Sequence, residues 1–278
     1  MTQEENKKKI IQSDLKTLIE RFSKDDVISG IDKNYQRENV KYLSYDDLVD
    51  NSFIKDAKID KETIKNIEKS IIERGIYNPL IVRETKKGKY EVIIGRKRWI
   101  ASKKLEYKKI PVIIKNYDDQ ETLLILLCDA RENKNFNPIE IAYVIKHLCE
   151  DFGYKKKDIA EILHVSSGHI SNYLSLFNLP KDVIYDVSTN KLSFGHAKAI
   201  SRLKTKDIED IVSKIYDYNL SVRDTEKLAF KLEDKNLNIK KSYVLKKKNK
   251  TIIIKLNDED AFNKIYKKVN ELLKKNFN

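Results

Sequence analysis

Glycine and proline are scarce in this 278-residue chain, at 7 and 4 residues. That scarcity argues against an all-β chain, whose tight turns need both residue types. Cysteine occurs only at Cys128 and Cys149. Both fall in apolar helical contexts and read as small buried hydrophobes, not as a disulfide or metal pair. His147, His164, His169 and His196 show no zinc-ligand spacing, and no nucleophile–base constellation is visible. No apolar run approaches the roughly 18 residues of a membrane span. The opening MTQEENKKK leads into no apolar core of a secretion signal. The expectation is a reduced, cytoplasmic protein.

What the chain has is charge. Its 56 basic and 43 acidic residues give a formal net charge of +13. Such a balance favours a polyanionic partner, nucleic acid first and an acidic membrane surface second. The heavy use of Lys, Ile, Asn and Tyr also fits a genome-wide bias, so charge alone does not choose. The length allows two or three domains, each with its own core.

Lys156–Phe177 reads as two short helices joined by a tight turn. Ile170, Tyr173, Leu174 and Phe177 follow the i, i+3, i+4, i+7 spacing of one helix face. The opposite face carries Ser167, His169, Ser171, Asn172 and Ser175, short polar groups able to reach base edges or phosphates. Ala160 is small where the helices must cross. His164 stands where helix-turn-helix units usually have glycine, and His tolerates positive φ better than most residues. An ordinary αα-hairpin with a solvated polar face carries the same pattern.

Gly95-Arg96-Lys97-Arg98 marks a second candidate site, at a strand-to-helix junction. Glycine lets a ligand approach the backbone. A helix N-terminus offers unpaired N–H groups and positive dipole, and the cations add charge-assisted bonds to phosphate. A solvated basic turn is the plain alternative. Asp129, Glu132 and Glu140 are the carboxylates able to meet a phosphate-bound Mg²⁺, although each alone also fits a surface or capping role.

Residues 1–22 pattern as an amphipathic helix or a frayed tail, with Ile11, Leu15, Leu18 and Phe22 on one side. Residues 23–39 read as a linker. Residues 40–115 alternate strands and helices: a helix from the Asp60 cap through Arg74 to Gly75, strands at Leu80–Val82 and Tyr90–Ile94 around a Lys86–Lys89 turn, a helix from Arg96, and a strand at Ile110–Ile114. Pro111 places that last strand at an edge or marks its start. From Asp118 the pattern is helical, with Leu123–Leu127 as core. Asn137-Pro138-Ile139-Glu140 opens a helix with Asn at N-cap, Pro at N1 and Glu at N3. Helices follow the hairpin at about 181–190, 194–203, 205–218 and 221–234, then a linker over 235–241. Strands Tyr243–Leu245 and Thr251–Leu256 flank a basic turn, Lys246–Lys250. Asn257 or Asp258 then caps a helix whose apolar face is Phe262, Ile265, Val269, Leu272 and Leu273. A ββα unit this small buries too little surface alone and should pair with a second copy.

Several stretches resemble, in order, the boxes of ParB proteins, the centromere-binding proteins of bacterial chromosome and plasmid partition. Gly75-Ile76-Tyr77-Asn78-Pro79-Leu80-Ile81-Val82-Arg83 resembles their GVLQPIIVR-type segment. Gly95–Ala101 resembles GERRWRA, and Asn137–Glu140 matches NPIE. Gly195-His196-Ala197-Lys198-Ala199 resembles GHARA, and Leu220–Glu226 resembles LSVRETE. The resemblance covers about residues 40–278. It implies an α+β chain: a tail and linker over 1–39, a mixed α/β ParB/sulfiredoxin-like nucleotide-binding domain at 40–130, an all-helical helix-turn-helix domain at 131–234, and a ββα dimerisation domain at 242–278.

The resemblance also implies function. ParB proteins bind a palindromic centromere-like DNA, bind CTP and Mg²⁺, close into a sliding clamp, and stimulate a ParA-type ATPase through a basic tail. Carried over, Asn78, Gly95, Arg96, Lys97 and Arg98 hold the nucleotide. Asp129 and Glu132 are the metal candidates. Ser166, Ser167, His169, Ser171 and Asn172 meet double-stranded DNA, Lys198 meets its backbone, and Lys7–Lys9 or Arg21 serve the ATPase. The protein is then a homodimer associated with the nucleoid or a plasmid.

Departures qualify this. Arg96 replaces the box glutamate and Lys97 its first arginine. By equal spacing the family's ENLQR falls on Asp129–Asn133, where Ala130 replaces an asparagine and argues against CTP hydrolysis; a three-residue shift restores Glu132-Asn133. The long basic side chains of the family's GKSR segment are absent from His164–Ser167, and Lys198 lacks the bidentate reach of arginine. The DNA sequence read should therefore differ from the usual chromosomal one. Two alternatives stay open. One is a nucleoid-occlusion or plasmid regulator of the same family, with Ile11–Phe22 as a weak membrane-targeting candidate. The other is a free-standing nucleotide-dependent enzyme on the sulfiredoxin-like fold, although the reactive cysteine of sulfiredoxin has no counterpart near Gly95.

Overall fold

The computed structural model describes residues 40–132, 136–240, 243–248, 251–256, 263 and 265–270. The 1–22 pattern with Lys7–Lys9 and Arg21, the 23–39 linker and the caps Asn257 and Asp258 lie outside the described residues. The chain divides into two units between Ser201 and Arg202.

The first unit opens on a five-stranded sheet. Its strands are β1 (Lys41–Leu43), β2 (Leu48–Val49), β3 (Leu80–Glu84), β4 (Tyr90–Ile94) and β5 (Ile110–Ile114). The order across the sheet is β1-β5-β3-β4-β2. β3 pairs antiparallel with β4 and parallel with β5. Pro111 therefore marks a strand start and not an edge, because short β1 covers β5 with Tyr42 opposite Pro111. The two outer strands are very short, which leaves little edge open to pairing with another chain.

Helix α1 (Lys61–Arg74) starts where Asp60 accepts the Thr63 N–H at 2.7 Å, and it stops at Gly75, whose φ is 72°. Helix α2 (Arg96–Lys104) follows β4 through Gly95. Val92 and Ile93 point to opposite faces of the sheet, as strand geometry requires. Val92 joins Leu80, Val82, Trp99, Ile110 and Val112 in one core. Ile93 joins a second core with Leu123–Leu127.

That second core continues through the helices. Helix α3 (Asp119–Glu132) contributes Leu123–Leu127, none more than 2% exposed. Each such burial is worth about 2 kcal/mol. Helices α4 (Pro138–Glu150), α5 (Lys156–Ile162) and α6 (Ser167–Ser175) add Ile141, Val144, Ile145, Leu148, Ile159, Ala160 and Ile170. The sheet and the helix-turn-helix thus share one apolar cluster. Helices α7 (Lys181–Ser188) and α8 (Phe194–Ile200) complete the unit.

The second unit holds α9 (Thr205–Tyr218), α10 (Val222–Lys240) and the hairpin β6 (Tyr243–Lys248) and β7 (Thr251–Leu256). Helix α9 buries Ile208, Ile211 and Ile215 along one face. Two expectations change here. Helix α10 runs to Lys240 through most of the expected 235–241 linker, a stretch without Gly or Pro to stop it. Lys246, Lys247 and Lys248, expected in a basic turn, instead extend β6 and pair with Ile253, Ile252 and Thr251 in the ladder.

Candidate nucleic-acid and nucleotide sites

Helices α5 and α6 form the hairpin read from the sequence. The turn between them passes through His164 at φ 54°, left-handed as expected. Val165 donates its N–H to the Ala160 carbonyl at 3.0 Å, closing the end of α5. Ser166 then caps α6, accepting the His169 N–H at 3.2 Å. Ile159 and Ile170 are fully buried at the crossing, with Ala160 beside them. Phe177 lies edge-on to Tyr143 of α4 at 5.0 Å, tying the hairpin to that helix.

The DNA candidates occupy different local settings. Ser167 is exposed at the first turn of α6, and Asn172 is half-buried. Ser166 spends its hydroxyl on the cap. Ser171 donates to the Ser167 carbonyl and accepts from Lys156 Nζ, both at 3.2 Å. The His169 ring stands edge-on to Tyr173 at 5.1 Å and tilted against Phe194 at 5.6 Å. Tyr173 and Phe194 stack at 4.7 Å with 27° between planes. Burial pushes the Tyr173 hydroxyl pKa up, keeping it neutral. Lys198 is exposed on α8. Ser193 caps α8, and its Oγ lies 2.7 Å from His196 Nδ1.

The Gly95 junction is built more tightly. Gly95 has φ 96°, and an added Cβ would meet Leu80 Cγ at 3.0 Å. It gives α2 no side-chain cap, and the positive end of the helix dipole lies at this junction. Arg98 donates to the carbonyls of Asn78 and Pro79, pinning the Asn78 loop beside α2. The Asn78 side-chain oxygen is buried without a hydrogen-bond partner. Lys97 and Arg98 are half-buried.

Arg96, expected at the phosphate, has its guanidinium engaged within the chain. Nε and Nη2 form a fork on Asp50 at 2.6 and 2.8 Å. Nη1 reaches Glu140 at 2.6 Å and the Ala57 carbonyl at 2.9 Å. Burial lowers the Arg96 pKa, but Asp50 and Glu140 outweigh it and raise the net value. Glu140 is neither a surface nor a capping carboxylate. It is 4% exposed, and burial raises its pKa while Arg96 opposes the rise.

Asp129 and Glu132 do not join a larger acidic cluster. Among the described residues, no group of three or more His, Cys, Asp or Glu is placed to hold a metal. Glu132 accepts from Arg131 Nε at 2.8 Å. Cys128 and Cys149 are free, and burial raises both thiol pKa values, which leaves them poor nucleophiles.

Comparison with known proteins meets these sites directly. Residues 30–130 match the ParB N-terminal domain and residues 134–234 the ParB HTH domain. The chain belongs to the ParB family. It is 32% identical over 189 residues to a nucleoid occlusion protein of Geobacillus sp. strain WCH70, covering 68% of this chain and 67% of the relative. It is 34% identical over 167 residues to a probable chromosome-partitioning protein ParB of Neisseria meningitidis, covering 60% and 58%. Crystal structures of a truncated ParB from Caulobacter crescentus are also similar. One, complexed to the centromeric parS site, has TM-score 0.42 and 27% identity over 69% of this chain and 99% of that one. Another, complexed with CTP-gamma-S, has TM-score 0.33 and 25% identity over 63% and 99%.

Within this ParB-family chain, sequence reading missed two groupings. Asp50 and Glu140 lie 46 and 44 residues from Arg96, so no local pattern announces their fork and ion pair. Arg96 itself, standing where the resemblance has glutamate, is the one available signal: a charge reversal calls for buried carboxylates nearby. Phe194 showed no sign of facing the hairpin, because its partners sit two helices earlier.

Proposed function

We propose that this protein binds a specific double-stranded DNA site through α6 and acts in DNA segregation. The reading rests on one observation above all. A capped helix-turn-helix presents Ser167, His169 and Asn172 on α6, in a ParB-family chain of net charge +13. The first turns of such a helix enter the major groove, and short polar side chains there read base edges. Lys198 supplies a backbone contact. The test is selection from random DNA at moderate salt. Recovery of a two-fold related site is expected, and recovery of no preferred site would defeat the proposal.

The Gly95 junction would hold CTP. The N-terminus of α2 with its positive dipole end, and the Lys97 and Arg98 side chains on its first turn, suit a triphosphate, and the partnerless Asn78 oxygen would accept a hydroxyl or amino proton. Arg96 stays with Asp50 and Glu140. Mg²⁺ usually takes one or two carboxylates plus phosphate oxygens and water, so Asp129 and Glu132 would suffice for it. Ala130 argues for binding without hydrolysis. Calorimetry with CTP and Mg²⁺ checks this part independently of DNA.

Dimerisation would use the C-terminal unit, where Ile265 and Val269 lie one turn apart and are 37% and 38% exposed. A DNA-loaded clamp and a ParA-type ATPase partner, met through Lys7–Lys9 or Arg21, complete the segregation reading. A nucleoid-occlusion role is the second reading, favoured by the Geobacillus relative. Liposome binding that depends on residues 1–22 separates the two.

A further inference from the structure

The aromatic contacts between α6 and α8 reach a residue on the reading face. His169 is the third residue of α6, in the turn that enters a DNA groove. Its ring meets two aromatic rings, one from its own helix and one from the next helical pair. Tyr173 lies one turn later on α6, 5.1 Å away and edge-on. Phe194 opens α8 and lies 5.6 Å away. Those two rings are themselves stacked at 4.7 Å. All three side chains are half-buried, so each keeps one side toward solvent.

Free surface histidines sample several rotamers, and a hydrogen bond to a base edge must first freeze them. An imidazole braced by two rings starts from fewer orientations. Pre-organisation of this kind raises affinity and discrimination without any new contact. The bracing rings carry no charge, so replacing them should not alter the salt-dependent part of binding.

We propose that Tyr173 and Phe194 are positioning residues that fix the His169 imidazole to read a purine in each half-site. A neutral imidazole offers one N–H donor and one acceptor. In the major groove, N7 is an acceptor on both adenine and guanine, and pyrimidines have no counterpart at that place. The imidazole N–H therefore selects purine over pyrimidine. It leaves the choice between adenine and guanine to the other side chains of α6. This inference rests on α6 being the reading helix, and its test separates the two.

The experiment uses the full-length protein and the site recovered by selection. Each purine is replaced in turn by its 7-deaza analogue, which removes the N7 acceptor and keeps the shape of the base. At one symmetry-related position the wild-type protein should lose about tenfold in affinity, the scale of one well-placed hydrogen bond. His169→Ala should be indifferent to that substitution. Phe194→Leu and Tyr173→Leu keep apolar volume and should reduce purine preference at that same position by about fivefold to tenfold. Tyr173→Phe should retain it, because the ring and not the hydroxyl braces His169. Binding to random-sequence DNA at low salt should stay within twofold for the Tyr173 and Phe194 variants, which excludes misfolding as the cause.

Full purine preference in both leucine variants would overturn the proposal, as would wild-type indifference to every 7-deaza position. Selection of no site at all would remove the DNA reading and this inference with it. A selected site that the variants read as wild type does would remove this inference alone.

Discussion

Arg96 Nη1 lies 2.6 Å from Glu140 Oε1, with both side chains buried to within 8% of full exclusion. The pair joins the first turn of α2 to the first turn of α4. Through Asp50 and the carbonyls of Lys55 and Ala57, it also holds the loop after β2. Removing one member of a buried pair leaves a desolvated charge, which costs about 3–5 kcal/mol. Arg96→Met should therefore lower unfolding stability by that amount. Arg96→Met with Glu140→Leu should recover most of the loss, since an apolar replacement of both partners is often neutral. Urea denaturation midpoints of these two variants and of Glu140→Leu alone measure the coupling. Strictly additive losses would mean that the two side chains do not act together.

The turn at His164 makes a separate stability prediction. An L-residue in the left-handed region carries about 1–2 kcal/mol of strain, and a β-branched residue there is a true outlier. His164→Val should destabilise the protein by at least about 1 kcal/mol. His164→Gly should not destabilise it, because relief of strain offsets the freer unfolded chain. Thermal unfolding of both variants is the check. A stable valine variant would show that the φ of 54° is not required by the fold.

These two cases mark what was readable in the residues. His164, the Asp60 cap, the Gly75 stop and the Gly95–Arg96 junction are local, each decided within a few positions by backbone preference or capping chemistry. They appear in the structure where the sequence put them. Strands β1 and β2 escaped notice because three and two residues carry no period. They exist only through pairing with β5 and β4. Lys246–Lys248 looked like a turn because lysine is a weak strand former, yet ladder pairing with Thr251–Ile253 overrides that preference. At the candidate sites the residue types were legible and their partners were not. Arg96 and Lys97 look alike in sequence, but Arg96 is buried and forks onto carboxylates brought from far along the chain, whereas Lys97 is half-buried.

Asp60 gives a pH prediction whose sign follows from its cap. The backbone N–H of Thr63 is the main cause holding its carboxyl below the ordinary aspartate value of 3.8. A depressed folded pKa means stability that is complete above the unfolded value. It is lost as pH falls through the folded value. Asp60→Asn keeps an acceptor at the cap and removes the titration. The wild type and this variant should therefore unfold alike near neutrality. Below about pH 4 the wild type should lose stability relative to the variant. Parallel acid titrations monitored by circular dichroism test this, and parallel curves down to the lowest pH would refute it.

Lys198 and Asn172 should fail in different ways when removed, and the difference separates holding DNA from reading it. Lys198 is exposed on α8, and on the proposed reading it would contribute to binding by releasing counterions from phosphate. Lys198→Ala should weaken specific and non-specific DNA alike. It should also reduce the slope of log K against log salt by about 0.9 for each phosphate that is no longer neutralised. Asn172, on α6, is neutral and offers both a donor and an acceptor, the pairing suited to an adenine edge. Asn172→Ala should leave the salt slope unchanged. It should cost about 1–3 kcal/mol on the selected site and relax one base position there. Binding titrations at four salt concentrations, on the selected site and on scrambled DNA, distinguish the two. A changed slope for Asn172→Ala would make it a backbone contact, and an unchanged slope for Lys198→Ala would place that lysine away from the DNA.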